Sequence, residues 1–462
     1  MTLTANAHIN ISAILGIHFM PTLTSYDPIN RAPLGDVPIT EPAQMPVVVL
    51  RAKQAQKTWG ALSLTQRQQK VAQAYECLTA VEEQLTLLIS KEMGKDYRRA
   101  SYEVAGTIQN ATYFTQEIAQ ALKTEQMGRN GEMQYRPLGV VGVISPWNYP
   151  LAMANNLLLP ALVAGNSVVL KPSEETPLVA DLFVRTLNQV LPENVLQIAH
   201  GDAEIGKALV NSEINMVAFT GSLAAGKHIM ASAASGLKRL VMELGGNDPL
   251  IVMASADIDE AVQFSVASSF ENTGQMCTST ERIYVDERIA DEFEQKVVAL
   301  ARRYQAGAWD QHNVNIGPIV NPKQHANVLS QLEDAKAKGA TFLLGKYHYQ
   351  LPYIQPTVVT GITPDMLLER DETFGPVVAI SRFKHLSEAV ERANASPYGL
   401  GAVVFGGAGA NAVAQQMEAG MVAINQGAGG LGPWVGAKQS GFGFHGTAAG
   451  HRQFAQLRII SQ

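Results

Sequence analysis

The chain has 462 residues, of which 46% are hydrophobic and 16% charged, with a formal net charge of −6. That length exceeds one ordinary core and predicts two or three domains, with the balance of a folded globular protein rather than a disordered one. The acidic charge, with no basic stripe or tail, excludes a nucleic-acid footprint, and no run approaches 18 apolar residues, which excludes a membrane-spanning helix.

Residues 1 to about 24 read as a loose extension, and "MTLTANAHINISAILGIHFMP" lacks the positive start of a signal peptide. From 47 to 123 apolar residues recur at three- and four-residue spacing, as in "QRQQKVAQAYECLTAVEEQLTLLISKEM", so helices are predicted. Cys77 falls within that stripe and is expected to be a small core residue. From residue 133 short β-rich runs alternate with helical ones: "GVVGVIS", "SVVLKPS", "NVLQIAH", "NMVAFTG" and "RLVMELG". This alternation predicts a parallel sheet covered by helices. A second set, "PLIVM", "RIYV", "PTVV", "GPVVAI", "LGAVVFG" and "GMVAIN", predicts a second α/β domain. The divide is expected near "ELGGNDP", where two glycines and a proline punctuate the chain.

Several segments carry side chains suited to chemistry. "ISPWNYP" holds Asn148 in a loop stiffened by prolines, which either aims an amide donor or forms a rigid aromatic turn. "SVVLKPSEETP" ends a strand with Lys171 and Glu174, a pair that can hold a ribose diol or simply face water. "NMVAFTGSLAAG" is a strand followed by Gly221 for a tight turn and Ser222 as a helix cap, so free N–H groups there can meet an anion. "RLVMELGGNDP" places Glu243 at the end of an apolar strand, as a general base or a strand-end residue. "GFGFHG", Gly441 to Gly446, matches a dinucleotide fingerprint in form only. No strand precedes it and the chain ends too soon for a βαβ unit.

Cys277 and Cys77 are the only cysteines. Two cannot build a disulfide scaffold or a Cys-based metal site, so no metal is expected, and they fit a reducing, cytoplasmic setting. "ENTGQMCTST" surrounds Cys277 with glycine and hydroxyls, the access that a nucleophile needs, and a nucleophilic thiol is expected to have a lowered pKa.

Taken together, "PWNYP", "KPSEETP", "FTGSLAAG", "MELGGNDP", "GQMCTS" and "ETFGPV" resemble the aldehyde dehydrogenase superfamily in order and spacing, across roughly residues 25–445. The resemblance implies a hydrolytic, NAD-dependent enzyme that oxidises a small aliphatic aldehyde or semialdehyde to its acid. Cys277 would attack the aldehyde, Asn148 and the Cys277 N–H would hold the oxyanion, and Glu243 would activate the water that hydrolyses the thioester. Lys171 and Glu174 would hold the adenine-side ribose, Gly221 and Ser222 the pyrophosphate, and Glu372 the nicotinamide ribose. Phe374 and Trp147 complete the expected cofactor contacts, and Glu174 would favour NAD over NADP.

The implied fold is α/β: a Rossmann-like NAD-binding domain (1–118 and 138–245), a catalytic domain (246–437) and a small β oligomerisation element (119–137 and 438–462). That element would build a homodimer or homotetramer. Three departures from the pattern stand out. Leu157 replaces a common Lys, and Asn156 stands where members acting on succinate semialdehyde often have Arg. Phe444-His445 replaces a common Arg-Glu, a change expected to affect the C-terminal interface. The alternatives are a CoA-acylating semialdehyde dehydrogenase, a non-redox Cys-dependent hydrolase or thioesterase, and a catalytically silent member that keeps the fold.

Overall fold

The computed structural model describes residues 21–345, 350–429 and 432–461. Most of the expected N-terminal extension, residues 1–20, lies outside them, but Thr22–Tyr26 is a strand paired with Pro33–Pro38. Four helices follow, Met45–Ala61, Leu64–Glu76, Glu82–Met93 and Tyr97–Ala121. Cys77 is not a core residue: it is half-buried, and its thiol turns back to the Gln73 carbonyl at 3.6 Å. The buried face of the helix Leu64–Glu76 and the 3₁₀ turn after it runs Val71, Ala74, Tyr75 and Leu78, and Cys77 falls beside that face rather than on it.

Two large sheets organise the rest. The first has six strands in the order Gly441–Phe442, Arg239–Glu243, Met216–Thr220, Val140–Ile144, Ser167–Lys171 and Leu196–Ile198. All pairings are parallel except that of the edge strand Gly441–Phe442. The strands are nearly continuous apolar runs because helices cover both faces. One face buries Tyr75, Leu158 and Phe183 beneath the N-terminal helices, and the other buries Val49, Leu209 and Phe219.

The second sheet has seven strands, with Thr280–Asp286 between Val377–Phe383 and Asp248–Val252 near its centre. It is parallel apart from the edge strand Thr341–Leu344. The chain leaves the first sheet at Glu243 and enters the second at Asp248. Carboxyl ends of one sheet therefore meet amino ends of the other. A third, three-stranded sheet joins Glu125–Met127, Gly131–Pro137 and Ala455–Ser461.

Candidate active site

Register places the first group of candidates in one row. Ile144 pairs with Lys171, and Thr220 with Glu243, all at the carboxyl edge of the first sheet. Ligands gather at that edge in open parallel sheets. Ser222 caps the helix Leu223–Ala234, its hydroxyl accepting from Ala225 N at 3.3 Å. The second group sits at the amino end of the other sheet. Cys277 precedes the strand Thr280–Asp286, and Glu372 and Phe374 precede Val377–Phe383.

The junction holds a cavity of about 680 Å³. Trp147, Asn148, Gly221, Ser222, Cys277, Glu372 and Phe374 line it, as do Tyr149, Met276 and Trp434. Lys171 and Glu174 lie outside that lining and pair with each other at 3.0 Å, the lysine buried and the carboxylate exposed.

Glu243 is 3% exposed, and its Oε1 accepts from the Cys277 thiol at 3.5 Å. The two residues are 34 positions apart, so only the meeting of the two sheets creates this contact. The two glycines between the sheets make the approach possible. A Cβ on Gly246 would lie 2.3 Å from the Cys277 carbonyl oxygen, and one on Gly245 would lie 2.4 Å from the Glu372 carboxylate. The thiol itself departs from expectation. Burial first, then the Glu243, Asp248 and Glu372 carboxylates, raise its pKa well above the ordinary value, so the resting group is a thiol.

Asn148 is buried and donates one amide N–H to the Gln275 carbonyl at 3.0 Å. That bond fixes the side chain and leaves the second N–H of the amide. Asn272 ties the two loops together by donating to the Asn148 and Gln275 carbonyls at 3.1 and 3.2 Å. Asn272 and Thr273 both have left-handed backbone, with φ of 49° and 62°. Such conformations persist where the surroundings hold them.

On the opposite wall, Glu372 Oε1 accepts from Gly246 N at 3.0 Å, and burial pushes its carboxyl up to about 7. Phe374, also left-handed at φ 51°, meets Trp147 edge-on at 5.5 Å. Beneath them the buried Glu281 accepts from Thr373 N at 2.7 Å and Phe374 N at 2.8 Å. Burial and the neighbouring Glu372 raise the Glu281 carboxyl well above its usual range.

Three residues of the site carry no signal that singles them out in the sequence, and a fourth, His445, is marked there only as a departure from the family pattern. Glu281 lies near the start of the strand Thr280–Asp286, between Thr280 and Arg282, where polar neighbours in the sequence disguise its burial. Asn272 lies in the Cys277 segment and has no separate mark. Glu271 lines the cavity, held by Arg99 Nε at 2.9 Å and the Tyr149 hydroxyl at 3.1 Å. His445, expected to bear on the C-terminal interface, is instead buried with Nε2 at 3.5 Å from Glu243 Oε2. Pairing of Phe444–His445 with Trp434–Val435 turns the tail inward.

The residues present fit a dinucleotide. Among the described residues Thr220 Oγ1, buried in the cavity wall, has no hydrogen-bond partner, the Leu223–Ala234 helix begins two residues after Gly221, and Glu372 lines the same cavity. Among the described residues no cluster of three or more His, Cys, Asp or Glu could hold a metal ion, and no helix is long and apolar enough to cross a membrane.

Comparison with known proteins agrees with this geometry. The aldehyde dehydrogenase family profile matches residues 19–460. Mitochondrial succinate-semialdehyde dehydrogenase of Oryza sativa subsp. japonica is 35% identical over 419 residues, covering 87% of this chain and 79% of that protein. A probable succinate-semialdehyde dehydrogenase [NADP(+)] of Sinorhizobium fredii is 33% identical, covering 94% and 91%. The crystal structure of lactaldehyde dehydrogenase from Escherichia coli superposes with a TM-score of 0.91 at 29% identity, covering 96% of each chain. The chain belongs to the aldehyde dehydrogenase family, whose members are oxidoreductases that act on aldehydes with a nicotinamide dinucleotide.

Proposed function

We propose that this protein oxidises a small aldehyde to its carboxylic acid through a thioester on Cys277, with NAD as the preferred cofactor. The observation that carries the reading is the 3.5 Å contact of the Cys277 thiol with Glu243, beside Asn148. A thiol with a raised pKa needs a base, and Glu243 is within reach of its proton. The sulfur then bonds the carbonyl carbon, and the free Asn148 N–H with the Cys277 N–H receives the oxyanion. The bound cofactor supplies the two-electron acceptor. Glu243 next draws a proton from water as the water attacks the thioester. The C–S bond breaks and the acid leaves. The buried general base favours hydrolysis over transfer to CoA.

Gly221 and Ser222 would hold the pyrophosphate, Glu372, Phe374 and Trp147 the nicotinamide half, and Lys171 with Glu174 the adenine-side ribose. The Glu174 carboxylate can accept from the free 2′ hydroxyl of NAD and repels the 2′ phosphate of NADP. We assign residues 1–118 and 138–245 to cofactor binding, 246–437 to catalysis, and 119–137 with 438–462 to assembly. Exposed Met127, Leu457 and Ile459 on the three-stranded sheet support a homodimer or homotetramer. The two free thiols fit a cytoplasmic location.

The succinate-semialdehyde relatives support a short semialdehyde as substrate. A neutral or ammonium-tailed aldehyde is a second reading, favoured by Glu271 in the cavity wall and by Asn156 where a tail-gripping Arg is common. The test is kcat/KM for succinate semialdehyde, butyraldehyde and 4-aminobutyraldehyde with NAD. The highest value for succinate semialdehyde supports the first reading, and the lowest value for it supports the second. No NADH from any aldehyde defeats both.

A further inference from the structure

Glu243 has two carboxylate oxygens and two different neighbours. Oε1 faces the Cys277 thiol and Oε2 faces His445 Nε2, each at 3.5 Å. Glu243 and His445 are each 3% exposed, so water does not reach the pair freely. The tail of the chain holds the base from two sides. Gly441 pairs with Glu243 in the sheet, Leu244 N donates to the Ser440 carbonyl at 2.9 Å, and Ser440 Oγ donates to the Gly245 carbonyl at 2.7 Å. Four residues beyond Gly441, the imidazole stacks on Trp434, with ring centroids 6.5 Å apart and planes 16° apart. Trp434 is itself part of the cavity wall.

The stoichiometry of the proposed reaction asks for more than one proton acceptor. Aldehyde, NAD and water become carboxylate, NADH and two protons. One proton comes from the attacking thiol or hemithioacetal hydroxyl, and one from the water that becomes part of the acid. Glu243 can hold one. It must release that proton before it can serve the next step, and solvent does not reach it freely.

We propose that His445 is a positioning residue for Glu243: its neutral imidazole, in the tautomer that leaves Nε2 free of hydrogen, stands against the carboxylate and takes up the proton that Glu243 collects. The proton passes from Glu243 Oε2 to His445 Nε2 and leaves the carboxylate ionised. No other bond changes in this step. One further titratable group faces His445 from the helix Thr447–Arg452, namely His451. Burial, with His445 beside it, pushes His451 down to about 4. His451 Nε2 lies 3.8 Å from Glu117, which is 32% exposed on the helix Tyr97–Ala121. Polar groups thus continue outward from the buried pair.

This inference rests on the thioester reading above. Its test is stopped-flow NADH formation with butyraldehyde for the wild type, His445→Gln and His445→Ala, with dinucleotide binding measured for each. Wild-type turnover tests the aldehyde-oxidation reading by itself, and no NADH from butyraldehyde, succinate semialdehyde or 4-aminobutyraldehyde overturns that reading rather than this one. Both variants are expected to bind cofactor as the wild type does and to keep a burst of about one NADH per site, while steady-state turnover falls at least ~10-fold. Added imidazole should restore part of the turnover of His445→Ala. The glutamine variant can donate to Glu243 yet cannot accept its proton, so it should remain slow. Unchanged turnover in both variants would overturn the proposal. So would an equal fall of burst and turnover, or a failure of imidazole to rescue His445→Ala. If His445→Ala does not fold, His445→Gln decides: near-wild-type turnover refutes proton uptake.

Discussion

The loop that carries Glu372 and Phe374 offers a perturbation whose size can be worked out from contacts. Glu281 is 4% exposed and accepts from two consecutive backbone N–H groups, at 2.7 and 2.8 Å. These bonds hold Phe374 in left-handed backbone against the Trp147 ring. In Glu281→Gln one oxygen can still accept, but the amide NH₂ faces the second N–H. Losing that hydrogen bond and leaving the donor without an acceptor costs about 1–3 kcal/mol. The left-handed backbone at Phe374 is strained by about 1–2 kcal/mol with either residue at 281, so it favours release in both proteins. The held conformation therefore loses about 1–3 kcal/mol. If about 1.4 kcal/mol of this reaches binding, the dinucleotide Kd rises tenfold. Isothermal titration with NAD at fixed ionic strength measures it, with circular dichroism to verify the fold. A Kd within twofold of the wild type would refute the idea that Glu281 holds this loop for the cofactor.

Glu243→Gln lacks the base for the thiol and for the water, so it should form the thioester slowly and hydrolyse it more slowly still, and stopped-flow should record a slowed burst of about one NADH per site and then a slower phase. Equal loss of both phases would place Glu243 in the first chemical step alone. The raised pKa of Cys277 makes its alkylation by iodoacetamide, without ligands, slow at neutral pH and still rising past about pH 9. Glu243→Gln removes one of the carboxylates that raise this pKa and should move the profile to lower pH, and a wild-type profile already level at pH 8 would contradict this. Glu174→Ser should lower the NAD/NADP ratio of kcat/KM by about tenfold. The effect is tempered by Lys171, which pairs with Glu174 at 3.0 Å, and an unchanged ratio would remove Glu174 from cofactor choice.

Residues marked by their immediate neighbours are legible in the amino-acid sequence alone. Glu243 ends an apolar strand, Cys277 stands among glycine and hydroxyls, and Ser222 follows a strand as a cap. Each signal depends only on nearby positions in the chain, and the alternation of β-rich and helical runs likewise indicates two α/β sheets. What the sequence hides depends on distant segments. His445 is 202 positions from Glu243, and it sits in two-residue strands too short to show any period. A nucleophilic role for Cys277 calls for a lowered pKa. The pKa rises instead, because burial dominates and Asp248 and Glu372 arrive from other strands and loops. Cys77 shows a different failure: it stands next to the apolar face of Val71, Ala74, Tyr75 and Leu78 without being part of it, a distinction of one residue in the period.

The most direct measurement is of the covalent intermediate itself. Glu243→Gln enzyme would be mixed with NAD and butyraldehyde, quenched in acid within the first turnover, digested, and examined by mass spectrometry. The peptide containing Cys277 should gain the mass of the butyryl group, with the peptide containing Cys77 unmodified and about one adduct formed per NADH. NADH formed with no acyl group on Cys277, or with the acyl group on another residue, would contradict the thioester mechanism.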